Sequence, residues 1–172
     1  VDVAIKYDRK QMSLWAVYSW SYVDRWDGFV NYNPIWDRRH NVNLVGSYQF
    51  GKDLVWTADA RWNIGSGFPL TQTAGFYERL SLQGSIDQDI TATNGQLGVL
   101  FGDLNGGRMP WYHRFDVSLK RRVVLTEHSI MEVTASITNI YNRENIFYVN
   151  RVTNERINQL PFLPSLGLSL TF

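Results

Sequence analysis

Cysteine is absent from all 172 residues, which excludes disulfides from the fold and by itself points nowhere in particular. Also missing is any run of about 18 apolar residues, the length a helix needs to cross a bilayer. Hydrophobic residues nevertheless make up 44% of the chain, with a mean hydropathy of −0.26, so any membrane contact has to be made by strands. Strong charge of one sign is lacking too: the formal net charge is +1, the pI is near 8.2, and no basic stripe runs along the chain. Phosphate recognition needs a concentrated basic face, so nucleic acid is not an expected partner. His40, His113 and His128 are far apart in the sequence, and no spacing singles out a nucleophile with a base. Neither an enzyme nor a metal or other cofactor is expected.

What the chain does have is aromatics, 15% of residues including seven Trp and nine Tyr, set into a period of two. Leu160, Phe162, Pro164, Leu166, Leu168, Leu170 and Phe172 form one row, with small or polar residues such as Ser165, Gly167, Ser169 and Thr171 between them. Such alternation belongs to a strand with one oily face. The pattern recurs six times upstream. Val1, Val3, Ile5 and Tyr7 oppose Asp2, Lys6 and Asp8. After a turn at Arg9, Lys10 and Gln11, a second strand carries Met12 through Tyr22. A third runs from about His40 to Phe50, and Gly51-Lys52-Asp53 reverses it. The fourth shows Leu54, Trp56, Ala58, Ala60, Trp62 and Ile64 against Thr57, Asp59, Arg61 and Asn63. A fifth, about 111 to 125, sets Phe115, Val117, Leu119, Val123 and Leu125 against Arg114, Asp116, Ser118, Lys120 and Arg122. Thr126-Glu127-His128 turns the chain into a sixth, Met131 to Tyr141, with a possible extension to Val149. The terminal row is the seventh.

These strands predict an all-β chain: an antiparallel transmembrane β-barrel segment of about seven strands within a larger barrel. Tyr and Trp suit the two bilayer interfaces, and charges opposite Trp and Leu suit a polar lumen. Connections after the first, third and fifth strands are about three residues. Those after the second, fourth and sixth are long, roughly 25–37, 65–110 and 150–157. Bacterial barrels keep short turns on the periplasmic side and long loops outside, and this alternation fits. Seven strands would leave two open edges, whereas single-chain bacterial barrels have even strand numbers. The chain also starts at Val1, with neither methionine nor the signal peptide that export requires of a precursor. The expectation is the carboxy-terminal part, residues 1–172, of a longer barrel, or a barrel closed by another polypeptide.

Several segments carry a more specific likeness. Thr138-Asn139-Ile140 followed by Tyr141-Asn142-Arg143-Glu144-Asn145 resembles the segment on the penultimate strand of TonB-dependent outer-membrane receptors. Asp37-Arg38-Arg39-His40, Gly65-Ser66-Gly67-Phe68-Pro69, Tyr112-His113-Arg114-Phe115-Asp116 and Leu160-Pro161-Phe162-Leu163-Pro164-Ser165, in this order, resemble the receptors of Bacteroidota-type bacteria over nearly the whole chain. The resemblance implies a barrel of about 22 strands around a plug domain, with this chain supplying the last seven strands and no plug. It also implies location in the outer membrane of a Gram-negative cell. The partners would then be lipid, the remaining barrel and plug, a TonB-type periplasmic energy-coupling protein acting through that plug, and a surface lipoprotein in some receptors. The terminal strand, with Leu166, Leu168, Leu170 and Phe172, would be the signal read by barrel-assembly machinery.

Candidate ligand contacts are the loop aromatics Trp26, Phe29, Tyr32 and Trp36, and Phe76, Tyr77 and Phe101, because exposed aromatics cost solubility unless they pack or bind. Packing within the loop is an equal reading. Asp59, Arg61, Arg114, Asp116, Lys120 and Glu132 form a candidate lumen ladder, for which cross-strand pairing that rigidifies the wall is the plainer account. Asp87-Gln88-Asp89 with Asn94-Gly95 has a faint calcium-loop flavour but lacks the full spacing, so a solvated loop is favoured. The long second loop is expected to hold an extra hairpin near Arg79 to Ile90. Two other classes stay in view: a soluble β-sandwich binding module, which would hide the oily faces in a core, and an outer-membrane barrel enzyme.

Overall fold

The structure, a computed structural model, describes residues 1–79 and 96–172. Among the described residues fifteen strands follow one another: β1 (Asp2–Arg9), β2 (Met12–Trp20), β3 (Arg25–Trp26), β4 (Asn31–Tyr32), β5 (His40–Phe50), β6 (Trp56–Gly65), β7 (Pro69–Leu70) and β8 (Thr73–Arg79). Then come β9 (Gln96–Phe101), β10 (Gly107–Arg108), β11 (Tyr112–Thr126), β12 (Ser129–Thr138), β13 (Ile146–Val149), β14 (Arg156–Asn158) and β15 (Leu163–Thr171). Seven of them form one antiparallel sheet in the order β1-β2-β5-β6-β11-β12-β15, so these seven lie in the sheet in their order along the chain. The remaining eight are short hairpins and bridges in the three long connections, gathered at the loop end of the sheet.

Register joins the seven separate alternations into two continuous faces. Tyr7 pairs with Leu14, Leu14 with Gly46, Gly46 with Ala60, Ala60 with Val117, Val117 with Ile137 and Ile137 with Pro164, so one row of small and apolar residues crosses the whole sheet. The next position shows the opposite face, where Asp8, Ser13, Ser47, Asp59, Ser118, Ser136 and Ser165 line up. A slip of one residue would exchange these faces, which is why the period of two fixes the pairing so firmly. Neither face is covered. Among the described residues no Ala, Val, Leu, Ile, Met, Phe, Trp or Tyr is buried, and Leu166 and Leu168 are 74% and 72% exposed.

The strands are also staggered in one direction. The first hairpin closes at Arg9 opposite Met12, on the row that continues through Tyr48 and Ala58 to Leu119. The third hairpin closes at Thr126 opposite Ser129, seven residues beyond Leu119. Seven residues of rise over four strand spacings correspond to a strand tilt of about 50° from the normal to the line of turns.

Aromatics collect at both ends of the apolar face. Near the turns, Tyr48, Phe50 and Trp56 stack in series, with ring centroids 6.0 and 6.2 Å apart, and Arg121 lies 5.1 Å over Trp56. Near the loops, Tyr18, His40 and Trp111 stack at 6.2 and 5.9 Å, and Tyr141 tilts against His113 at 5.4 Å. The hydroxyl of Tyr18 is 2.9 Å from His40 Nδ1, and that of Tyr141 is 2.8 Å from His113 Nδ1.

Several boundaries differ from the sequence expectation. The fourth sheet strand starts at Trp56, not Leu54, because Asp53 and Leu54 both take left-handed φ values, 59° and 52°, in a short 3-10 turn. The second ends at Trp20, leaving Tyr22 outside, and the last begins at Leu163, leaving Leu160 and Phe162 in the preceding segment. Leu125 sits at a bulge between Val124 and Thr126. The largest difference concerns the sixth strand. It stops at Thr138 instead of continuing to Val149, so the third connection runs over 139–162, wider than 150–157, and holds its own hairpin, β13 with β14. The second loop holds a ladder of β8 with β9; the hairpin expected near 79–90, with Asp87-Gln88-Asp89 and Asn94-Gly95, falls in the stretch 80–95, which lies outside the described residues.

Asn139 is the reason the sixth strand stops. Its φ of 54° is one that Asn tolerates and that breaks the ladder. Its fully buried side chain accepts from the N–H of Arg143 at 3.0 Å and donates to the carbonyls of Arg143 and Leu160 at 2.9 and 3.1 Å, while Asp116 Oδ1 accepts its main-chain N–H at 2.9 Å. Asn139→Ala would orphan these buried groups and should cost about 2–3 kcal/mol locally. Faster amide exchange over 139–145 would register that loss, and unchanged exchange would remove Asn139 from this role.

Candidate loop-end site

At the loop end the three long connections are tied to one another and to the sheet rim. Asp37, 1% exposed, is the centre of the first tie. Its carboxylate accepts from Arg108 Nη2 and from the N–H of Val23 at 3.3 Å, with Arg39 Nε 3.7 Å away. Arg108 Nη1 donates to the carbonyls of Asp37 and Gly67, both at 3.2 Å, so one guanidinium joins the first loop to the second. Arg38 donates from Nε to the carbonyl of Ser66 at 3.2 Å and lies over the rings of Phe68 and Tyr112 at 4.4 and 5.3 Å. Burial pushes its guanidinium down from the usual value, and Tyr112 offsets this in part, as expected for a cation taken out of water onto aromatic faces. Ser66 Oγ accepts the N–H of His40 at 3.0 Å.

Two glycines make these approaches possible. A Cβ on Gly65 would stand 2.5 Å from the Arg38 guanidinium carbon, and one on Gly67 would stand 1.6 Å from the carbonyl oxygen of Met109. Asn105 extends the network by donating from Nδ2 to the carbonyl of Asn33 at 2.8 Å, and from its N–H to Thr71 Oγ1 at 2.9 Å.

A second tie holds the third connection. Asn145 uses its side-chain amide as a strand would use a peptide group: Oδ1 accepts the N–H of His113 at 3.1 Å, and Nδ2 donates to the carbonyl of the same residue at 2.9 Å. Asn142 Oδ1 accepts the N–H of Phe162 at 2.8 Å, and Arg143 Nη2 donates to the carbonyl of Trp111 at 2.9 Å. The segments singled out in the sequence around Asp37, Gly65, Tyr112, Asn139 and Leu160 thus converge on one rim.

Between the second and third connections lies a groove of about 880 Å³. Phe68, Phe76 and Met109 stand on one side, Phe147, Tyr148 and Val152 on the other. Thr73 Oγ1 donates to the carbonyl of Arg151 at 3.0 Å and ties the two sides.

Of the candidate aromatics, Phe76 alone lines this groove. Tyr77 stands beside it on β8, 53% exposed, and Phe101 ends β9 under the guanidinium of Arg151 at 5.5 Å. Trp26 and Tyr32 belong to the small β3–β4 hairpin, and Phe29 is its tip, 89% exposed. Asp27 Oδ1 accepts the N–H groups of Phe29 and Val30, both at 2.9 Å, which holds its carboxyl below the usual range. Trp36 lies under Arg25 at 4.7 Å. The groove's other walls had no sequence signal of their own: Phe147 and Tyr148 fall where the period of two extends the sixth strand, and Arg151, Val152 and Arg156 fall in the expected loop 150–157 without a pattern to single them out.

The six ladder residues share the polar face. Lys120 Nζ is 3.5 Å from Asp59 Oδ2, Arg114 pairs with Asp116 at 2.9 Å, Arg61 Nε donates to Asn63 Oδ1 at 3.1 Å, and Glu132 stands opposite Arg122. Leu166, Leu168 and Leu170 lie on the apolar face of β15, with Phe172 just beyond it. Among the described residues no group of three His, Cys, Asp or Glu is placed to hold a metal. No family model, no curated protein and no solved structure matches the chain.

Proposed function

We propose that the seven-stranded sheet is part of the wall of an outer-membrane β-barrel, and that this barrel is a receptor taking up a substrate by TonB-coupled active transport. One observation carries the wall reading: an uncovered, largely apolar face spans all seven strands, interrupted by Arg9 and Arg121 only near the turns, rimmed by aromatics at both ends and backed by a charged face. In water such a face is a liability, whereas in lipid it is the requirement. The dimensions agree. His40 and Phe50 mark the two aromatic ends along β5. Ten residues of strand, roughly 34 Å, tilted by about 50°, reach a height of roughly 22 Å, close to the apolar band of about 25 Å in outer-membrane barrels. The tilt itself is near their 35–45°.

Transport is supported by the resemblance of the rim segments to TonB-dependent receptors. In that reading the short turns face the periplasm, the groove opens outward, and plug, coupling protein and any surface lipoprotein are supplied from outside these residues.

These 172 residues hold no cysteine of their own, so single cysteines placed among them give a direct test. Single cysteines at Leu44, Trp62 and Leu168, and at Asn43, Asp59 and Ser118, would carry nitroxide labels in the full-length protein in native membranes. The first set should relax with oxygen and the second with a water-soluble nickel chelate. Equal nickel accessibility would overturn the wall, and protection of the first set from both would indicate a second sheet, as in a soluble β-sandwich. In the same protein, Leu168→Arg should cost about 2–4 kcal/mol, as expected for a lipid-facing midplane position. Ser169→Arg should cost little, and the reverse ranking in denaturant titrations would mean the faces are exchanged.

A further inference from the structure

Arg9 and Arg121 are the charged side chains on the apolar face of the seven strands, both near the turns, and no Asp or Glu of these strands shares that face. On the opposite face cations are matched within the chain. Lys6, Arg114 and Lys120 lie 2.9, 2.9 and 3.5 Å from the carboxylates of Asp8, Asp116 and Asp59. Among the described residues neither Arg9 nor Arg121 is in an ion pair.

Arg121 stands on β11 five residues before the turn at Thr126, which on a strand tilted by about 50° is roughly 11 Å up the face from that turn. A guanidinium at that height on a lipid-facing wall needs a counter-charge or a reach to the interface. Its head lies over Trp56, 5.1 Å from the ring centroid, and the residue is exposed. Trp56 is itself held in place. Phe50 stacks on it at 6.2 Å, and a Cβ on Gly51 would stand 3.0 Å from its ring. Among the described residues neither the Arg121 guanidinium nor the Trp56 indole N–H donates to a group of the chain. Two sets of N–H donors thus stand close together with no acceptor of their own, on a face bare of carboxylates. Donors so placed fit an oxygen anion carried on an apolar molecule, and a lipid phosphate arrives with the acyl chains that cover such a face.

We propose that Arg121 and Trp56 bind the phosphate of an anionic phospholipid in the leaflet at the turn end, with its acyl chains against the apolar face. Arg9, four strand spacings or roughly 19 Å across the sheet, is too far to share that headgroup. The inference rests on the wall reading above and not on transport.

The test places benzoylphenylalanine at Val133, directly opposite Arg121 on β12, in the full-length protein reconstituted into phosphatidylcholine vesicles. The same photoreactive residue at Leu44, in the middle of β5, is the control. Each preparation carries a trace of one tritiated lipid: phosphatidylglycerol, phosphatidylcholine or diacylglycerol. Cross-linking at Val133 should favour phosphatidylglycerol over phosphatidylcholine by about fivefold, the factor expected of one arginine near an anionic headgroup, with diacylglycerol lowest. At Leu44 the three yields should be equal. Arg121→Gln should remove the preference at Val133, Arg121→Lys should restore part of it, and Trp56→Phe, which keeps a ring but loses the N–H, should reduce it. Equal yields at Val133, a preference that survives Arg121→Gln, or one abolished by excess inorganic phosphate would overturn the proposal. Lipid cross-linked at both positions without preference defeats this inference alone, whereas no lipid cross-linked at either defeats the wall reading beneath it.

Discussion

An Asp37→Ala variant should lose about 3–5 kcal/mol of the free energy that holds the first and second loops together, because it strands Arg108 and Arg39 in a site built around their shared carboxylate. The side chain of Asp37 has no solvent exposure, while those of Arg108 and Arg39 keep 29% and 39%. Both cations would face each other with their main counter-charge gone, and the Val23 N–H would lose its acceptor. Amide exchange over 33–40 and 66–71 in the intact protein should accelerate by at least about a hundredfold, through local opening rather than global unfolding. The Lys6–Asp8 pair, 2.9 Å apart but 71% and 53% exposed, supplies the contrast. Asp8→Ala should change stability by less than about 1 kcal/mol. Equal effects of the two substitutions would show that burial of Asp37 contributes nothing to loop closure.

The second large effect is expected at Gly67. Its added Cβ would meet the main-chain oxygen of Met109 at 1.6 Å and the carbonyl carbon at 2.4 Å, and neither can rotate away as a side chain would. Met109 is held there by its N–H bond to the carbonyl of Phe68, 2.9 Å, beside the two-residue ladder of β7 and β10. Gly67→Ala must therefore part the two halves of the second loop, at a cost of about 3 kcal/mol or more. Gly65→Ala meets only the mobile end of Arg38 and should cost less, roughly 1 kcal/mol for the lost bond to Ser66. Gly75→Ala meets nothing within 4 Å and should be nearly neutral. The ranking Gly67, Gly65, Gly75 in limited proteolysis of the loops is the expected result, and a neutral Gly67→Ala would mean that this crossing is looser than described.

The sheet was largely legible in the sequence because its information is local. Each strand announces its face by alternation, and His40–Phe50 could be bounded from residue types alone. Legibility failed where a single residue's geometry outweighed the pattern. Tyr141, Ile146 and Val149 look like more strand, but Asn139 turns the chain first, and nothing in a period of two encodes a left-handed φ. Leu54 fell to the same cause. The rim segments were legible as a likeness but not as a mechanism. Their meaning lies in bonds between residues 30 to 70 positions apart, such as Asn145 with His113 and Arg108 with Asp37. The groove was least visible, since its walls come from two connections brought together by bonds such as that of Thr73 with Arg151.

The order of strands has a bearing on how the protein comes into being. The seven strands of the large sheet lie in it in their chain order, three of the pairings closed by short turns, so each short-turned hairpin can zip up by itself and then add to the one before it. Closing a small loop costs little entropy, and local pairing is fast. The rim bonds, by contrast, need distant segments already in place, so they belong to the last stage, as a seal set once the register of each hairpin has been chosen.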